Sequence, residues 1–170
     1  NLSGSKTCKP VSEMTIEDLW DLKKRKCKKD IYDFYIDQGA WSTFRQVIRH
    51  QTFKNYHISI FSAVESAMKA GVHICEYGCG VAPFSFSLAN VIGKKADLDI
   101  SLTDIEGCEH LNFANWSLNK LKEDRGLEEI NIYSKPVKVN KLPTYDKKLD
   151  LVIIFEVLEH VPSPVATLTN

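Results

Sequence analysis

The chain has 170 residues, enough for about one domain with a real core. Lys+Arg and Asp+Glu both number 22 and 44% of the residues are hydrophobic, so no overall field draws the molecule to nucleic acid or an anionic membrane. No apolar run approaches the ~20 residues that a membrane helix needs.

Residues 1–11 read as a flexible leader, without the apolar stretch of a signal peptide. Residues 12–70 read as helical. Ser12 or Thr15 can cap a first helix, along which Ile16, Leu19, Trp20, Cys27, Ile31 and Phe34 recur at roughly helical spacing. Gly39 breaks that pattern. A second helix carries Trp41, Phe44, Val47 and Ile48, and a third carries Ile58, Phe61, Val64 and Met68 before Gly71. Lys23 to Lys29 holds six cations in seven residues, which on a helix reads as a solvated face.

From residue 71 to 170 the period changes to strands alternating with helices. Strands are predicted over Val72 to Glu76, Leu98 to Thr103, Ile130 to Tyr133 and Leu149 to Phe155, and helices over Phe84 to Val91 and Cys108 to Lys122. That alternation implies an α/β fold with a parallel sheet and right-handed crossovers. The fourth strand is almost wholly apolar and is expected to be buried on both faces. The five cysteines include no C-x-x-C pair, and a reduced, cytoplasmic setting is expected.

Glu76-Tyr-Gly78-Cys-Gly80-Val-Ala82 places two glycines between a strand and a helix. Glycine lets the backbone turn sharply and approach a ligand, and the following helix aims its first N–H groups at it. The dinucleotide fingerprint G-x-G-x-x-G fails, because its last position is Pro83. Glu76 would repel a pyrophosphate but suits a ligand with an ammonium group. Asp104 ends the second strand, where a carboxylate can accept the hydroxyls of a ribose; the competing reading is a helix N-cap.

These residues resemble class I S-adenosylmethionine-dependent methyltransferases over about residues 60–170. Glu76 to Ala82 is similar to their E/D-x-G-x-G-x-G turn, with Ala82 in place of the last glycine, and Thr103-Asp104 is similar to their ribose-binding strand end. Leu149 to Pro164 looks like their fourth strand and the loop after it. The resemblance implies a Rossmann-like sheet in strand order 3-2-1-4 with an N-terminal helical extension that acts as a lid, and S-adenosylmethionine as cofactor. It implies that Glu76, Gly78 and Gly80 hold the methionine moiety, Asp104 the ribose and Ile105 the adenine face. Asn140 is the candidate for the adenine amine, and Tyr77 and Glu156 complete the expected cofactor contacts.

Glu156-Val-Leu-Glu159-His160 leaves the fourth strand at the carboxyl edge of the sheet. His160, with Glu159 beside it, is the candidate proton acceptor during methyl transfer, or else a brace for the loop. The same string is similar to metal-dependent methyltransferases acting on catechols or RNA riboses, with Glu156, Glu159 and His160 as ligands; the preferred expectation is no metal. The resemblance therefore implies methylation at O, N or C of a small molecule, with an RNA methyltransferase or a non-catalytic scaffold as alternatives. Four strands out of the family's seven would leave the fourth as an exposed apolar edge, so a second chain or a missing C-terminal half is expected to complete the sheet.

Overall fold

The computed structural model describes residues 14, 18, 22, 27–52, 71–93 and 97–169. The leader, the first half of the first predicted helix, with Ile16, Leu19 and Trp20, and all of the third lie outside them. Elements follow in the order α1 (Lys28–Thr52), β1 (Val72–Tyr77), α2 (Pro83–Ile92), β2 (Leu98–Thr103), α3 (Glu109–Arg125), β3 (Ile130–Ser134), β4 (Leu151–Ile154) and α4 (Pro164–Thr169).

The four strands form one parallel sheet in the order β3-β2-β1-β4, as expected. β1 is central and all six of its residues are buried. Ile74, Leu98, Ile100, Leu102, Phe84, Leu88, Leu118 and Ile130 pack the main core between sheet and helices, each worth ~1.5–3 kcal/mol when fully buried. The start of β4 is pinned to β1 by two reciprocal bonds: His73 N–H donates to Asp150 Oδ2 at 2.9 Å, and Asp150 N–H donates to the His73 carbonyl at 2.9 Å.

Two readings need correction. β4 is shorter than the predicted Leu149 to Phe155 and is not buried on both faces. Among the described residues it is an edge strand, and Val152 is 43% exposed. Asp104 is not a helix N-cap, because α3 begins at Glu109 with Cys108 in the capping position. The break expected at Gly39 is present: its φ 50° and ψ −147° are non-helical and separate two helical stretches within Lys28–Thr52.

Lys28 and Lys29 are exposed, and Lys29 pairs with Asp33 one turn on, which fits the solvated-face reading. Cys27, Cys75, Cys79 and Cys108 are free thiols. No helix among the described residues is long and apolar enough to cross a membrane.

Candidate functional site

Register decides where the site lies. Tyr77 pairs with Thr103 on one side and with Ile154 on the other. The residues that follow, Gly78, Asp104 and Phe155-Glu156, therefore leave the sheet together at its carboxyl edge, where open α/β sheets bind ligands.

The glycine bend is held from both neighbouring strands. Cys79 N–H donates to the Thr103 carbonyl at 2.9 Å. Gly80 N–H donates to Asp104 Oδ2 at 2.7 Å, and Ile105 N–H donates to Asp104 Oδ1 at 2.7 Å. Asp104 thus faces the bend. A carboxylate offers about four acceptor sites, so two backbone bonds leave capacity for a pair of hydroxyls. Burial raises its pKa, against the lowering effect of the Ile105 and Gly80 N–H groups.

Gly78 and Gly80 have φ of 65° and 52°. A Cβ on Gly78 would collide with the Val157 side chain, and one on Gly80 would lie 2.5 Å from Gln46 Oε1. Ala82 takes up a left-handed conformation too, φ 51° and ψ 50°, where the resembling turn has glycine. That conformation costs a non-glycine residue ~1–2 kcal/mol. The buried methyl and the stiffer unfolded chain return ~1 kcal/mol or more, so alanine is tolerated here.

Glu76 is 4% exposed, and its Oε2 accepts the Ser85 N–H at 2.9 Å in the first turn of α2. Its carboxylate rivets the end of β1 to the N-terminus of α2, where the helix dipole favours negative charge. Burial nonetheless pushes its pKa up to about 7, opposed by the Ser85 and Phe84 hydrogen bonds.

The other expected residues divide. The Tyr77 hydroxyl donates to the Lys141 carbonyl at 3.1 Å. Ile105 is half-buried and packs on the cluster of Ile31, Phe34 and Val139, as do Tyr32 and Tyr35 of α1. Asn140 has φ 61°, and its Oδ1 accepts the Thr167 hydroxyl at 3.2 Å, which turns the amide oxygen toward α4. Glu159 Oε1 lies 3.8 Å from His160 Nε2, and the His160 N–H closes a turn onto the Val157 carbonyl.

Contacts from α1 to the sheet edge were largely missed in the sequence: Tyr32, one of the α1 aromatics, accepts the Val139 N–H on its Oη at 3.1 Å, and the unforeseen Ser42 meets His110 Nε2 at 2.9 Å while Arg49 reaches Glu156 at 3.4 Å. The predicted lid helix was the one available signal for Gln46 and Arg49. Asp104, Cys108 and His110 form a buried group whose ligand-type atoms lie within 4.8 Å of one another. Protein partners already engage Asp104 and His110, while burial pushes the Cys108 thiol up to about 12. Among the described residues, Glu156, Glu159 and His160 make no such group.

A parallel sheet in this order, with a glycine bend tied to an acidic strand end, defines a Rossmann-like α/β domain. A family model described as "Methyltransferase domain" matches residues 68–170, more than half of the chain, and the protein belongs to that family. No curated protein sequence matches it. Similar solved structures include a SAM-dependent methyltransferase from Aquifex aeolicus, with 19% identity, TM-score 0.46, and 64% of this chain and 53% of that one covered. The YcgJ protein from Bacillus subtilis is similar over 65% of this chain and 43% of its own, with 15% identity and TM-score 0.44. The chain thus spans about half the length of these structures.

Proposed function

We propose that the protein is an S-adenosylmethionine-dependent methyltransferase acting on O, N or C of a small molecule. The observation that carries this reading is the Gly80–Asp104 bond at 2.7 Å. It ties a glycine bend, whose residues lack side chains and so let backbone approach a ligand, to a carboxylate with spare acceptor capacity for a ribose. Membership of the methyltransferase-domain family supports the same assignment.

The residues present fit such a cofactor. Gly78 and Gly80 offer backbone without side chains, Asp104 takes the ribose hydroxyls, and Ile105 with the α1 tyrosines supplies an apolar wall for adenine. Asn140 keeps its amide N–H groups for the ring. Glu76 acts mainly by fixing the bend, since its carboxylate is spent on α2, and Tyr77 anchors the same strand end from behind.

When bound, the cofactor supplies a methyl group on a sulfonium that is already a good leaving group. The chain's task is then positioning and proton removal. His160, with Glu159 beside it at the sheet edge, takes the proton that an acceptor hydroxyl or amine loses as its new bond to carbon forms.

Titration calorimetry with S-adenosylmethionine and with S-adenosylhomocysteine tests the proposal. Saturable heat with both is expected, and the absence of heat with either ligand would return the domain to a scaffold.

A further inference from the structure

We propose that Arg49 and Glu156 form the receptor for the amino-acid end of the cofactor, an ion pair that exchanges partners with a zwitterion. The ligand ammonium replaces Arg49 at Glu156, and the ligand carboxylate replaces Glu156 at Arg49. This inference rests on the cofactor reading above and adds a residue of the lid to it.

Placement is the first argument. Gln46 and Arg49 lie three residues apart on α1 and so share a helix face. Gln46 stands over Gly80, at the spot a Cβ there would crowd. Glu156 lies two residues beyond β4, and its neighbour Val157 abuts Gly78. The Arg49–Glu156 pair therefore spans from the lid to the strand that borders the bend, with the two glycines beneath it.

Charge is the second. An amino acid needs one anion and one cation, and the two buried carboxylates at this edge are already held by backbone N–H groups: Glu76 by Ser85, and Asp104 by Gly80 and Ile105. Glu156 and Glu159 are rim carboxylates that solvent still reaches, and of the two it is Glu156 that meets a cation from α1, with its side chain 54% exposed against 50% for Arg49. A single contact of 3.4 Å between two half-exposed groups contributes little. Exchange of partners is correspondingly cheap, and the new pairs form in a less solvated place once a ligand covers them.

Backbone strain is the third. Glu156 has φ 50° without being glycine. Such strain survives where the surroundings hold it, and it concentrates at ligand clamps. Here it turns the chain sharply at the end of β4, at the level of the bend.

The test compares two nucleosides by calorimetry: S-adenosylhomocysteine, which carries the amino acid, and 5′-methylthioadenosine, which lacks it. Arg49→Gln is expected to weaken the first about tenfold or more and to leave the second within about twofold, since one charged hydrogen bond is lost. The charge swap R49E/E156R should keep the thermal midpoint of the ligand-free protein near that of wild type without restoring that affinity. If Arg49→Gln changes neither ligand or both alike, the pair is only a clasp and the receptor is overturned while the cofactor reading stands. If the wild-type protein binds neither nucleoside, both fall together.

Discussion

The backbone N–H of Gly80 and the carboxylate of Asp104 meet at 2.7 Å across two neighbouring strands. The same carboxylate takes the Ile105 N–H with its other oxygen, so it holds two backbone segments in register and is also the proposed ribose partner. Those two roles separate experimentally. Asp104→Ala leaves both N–H groups without an acceptor, which is expected to lower stability by ~1–3 kcal/mol in urea unfolding. It should also weaken S-adenosylhomocysteine by a similar amount in calorimetry. Lost stability with unchanged affinity would leave Asp104 a structural clasp and remove it from the site.

The two glycines of the bend are not equivalent. Both have positive φ, so alanine costs ~1–2 kcal/mol at either. At Gly80 the new methyl meets the far end of the flexible Gln46 side chain, which can swing aside. At Gly78 it meets Val157, whose branched side chain has few rotamers to choose from. Overpacking should add ~1–3 kcal/mol there. Chemical denaturation is therefore expected to rank Gly78→Ala as the more damaging, and Val157→Ala should recover part of that loss. Equal losses at the two positions would contradict the contact with Val157.

The sheet was legible because its signals are local. Apolar runs of strand length, a glycine pair before a helix, and Asp104 at a strand end each lie within a few neighbouring residues. The order of the strands followed from the family resemblance and not from any local signal. Helix α1 was only half legible. Its two stretches and the break at Gly39 show in the local spacing, but nothing local says that Arg49 reaches Glu156, 107 residues away. Such a contact depends on how α1 packs over the sheet edge, and two long charged side chains carry no periodicity that would give it away. The burial of β4 was overread for the same reason: an apolar run shows which residues can be buried, while among the described residues β4 has β1 on one side only and Val152 stays 43% exposed.

His160 and Glu159 sit beyond β4 with 3.8 Å between Nε2 and Oε1. If His160 removes the acceptor's proton, His160→Gln should lower turnover ~10²–10⁴-fold and leave S-adenosylhomocysteine affinity nearly unchanged. Turnover at the wild-type level in His160→Gln would reduce the residue to a brace for the loop.

Two buried groups with opposite shifts set the pH dependence of stability. Glu76 is raised from 4.5 to about 7 by burial, so the folded state holds its proton more tightly than the unfolded chain does. Its contribution is full below pH 4.5 and is lost as pH rises to about 7. His110 is lowered from 6.5 to about 4, also by burial. The unfolded state binds that proton better, so its contribution is present above pH 6.5 and is lost as pH falls toward 4. Each shift corresponds to about 3 kcal/mol, and the slopes oppose one another between pH 4.5 and 6.5. The wild-type contributions from these two groups should nearly cancel in that window. Glu76→Gln can still accept the Ser85 N–H and carries no charge to bury. It should be more stable than wild type at pH 8 and should lose stability steeply between pH 6.5 and 4.5, as His110 acts unopposed. Asp104, raised in the same direction as Glu76, softens that slope at its acid end. Urea midpoints measured from pH 4.5 to 8 on wild type, Glu76→Gln and His110→Gln decide the matter. Parallel profiles for the three proteins would show that neither group titrates in the fold as its burial requires.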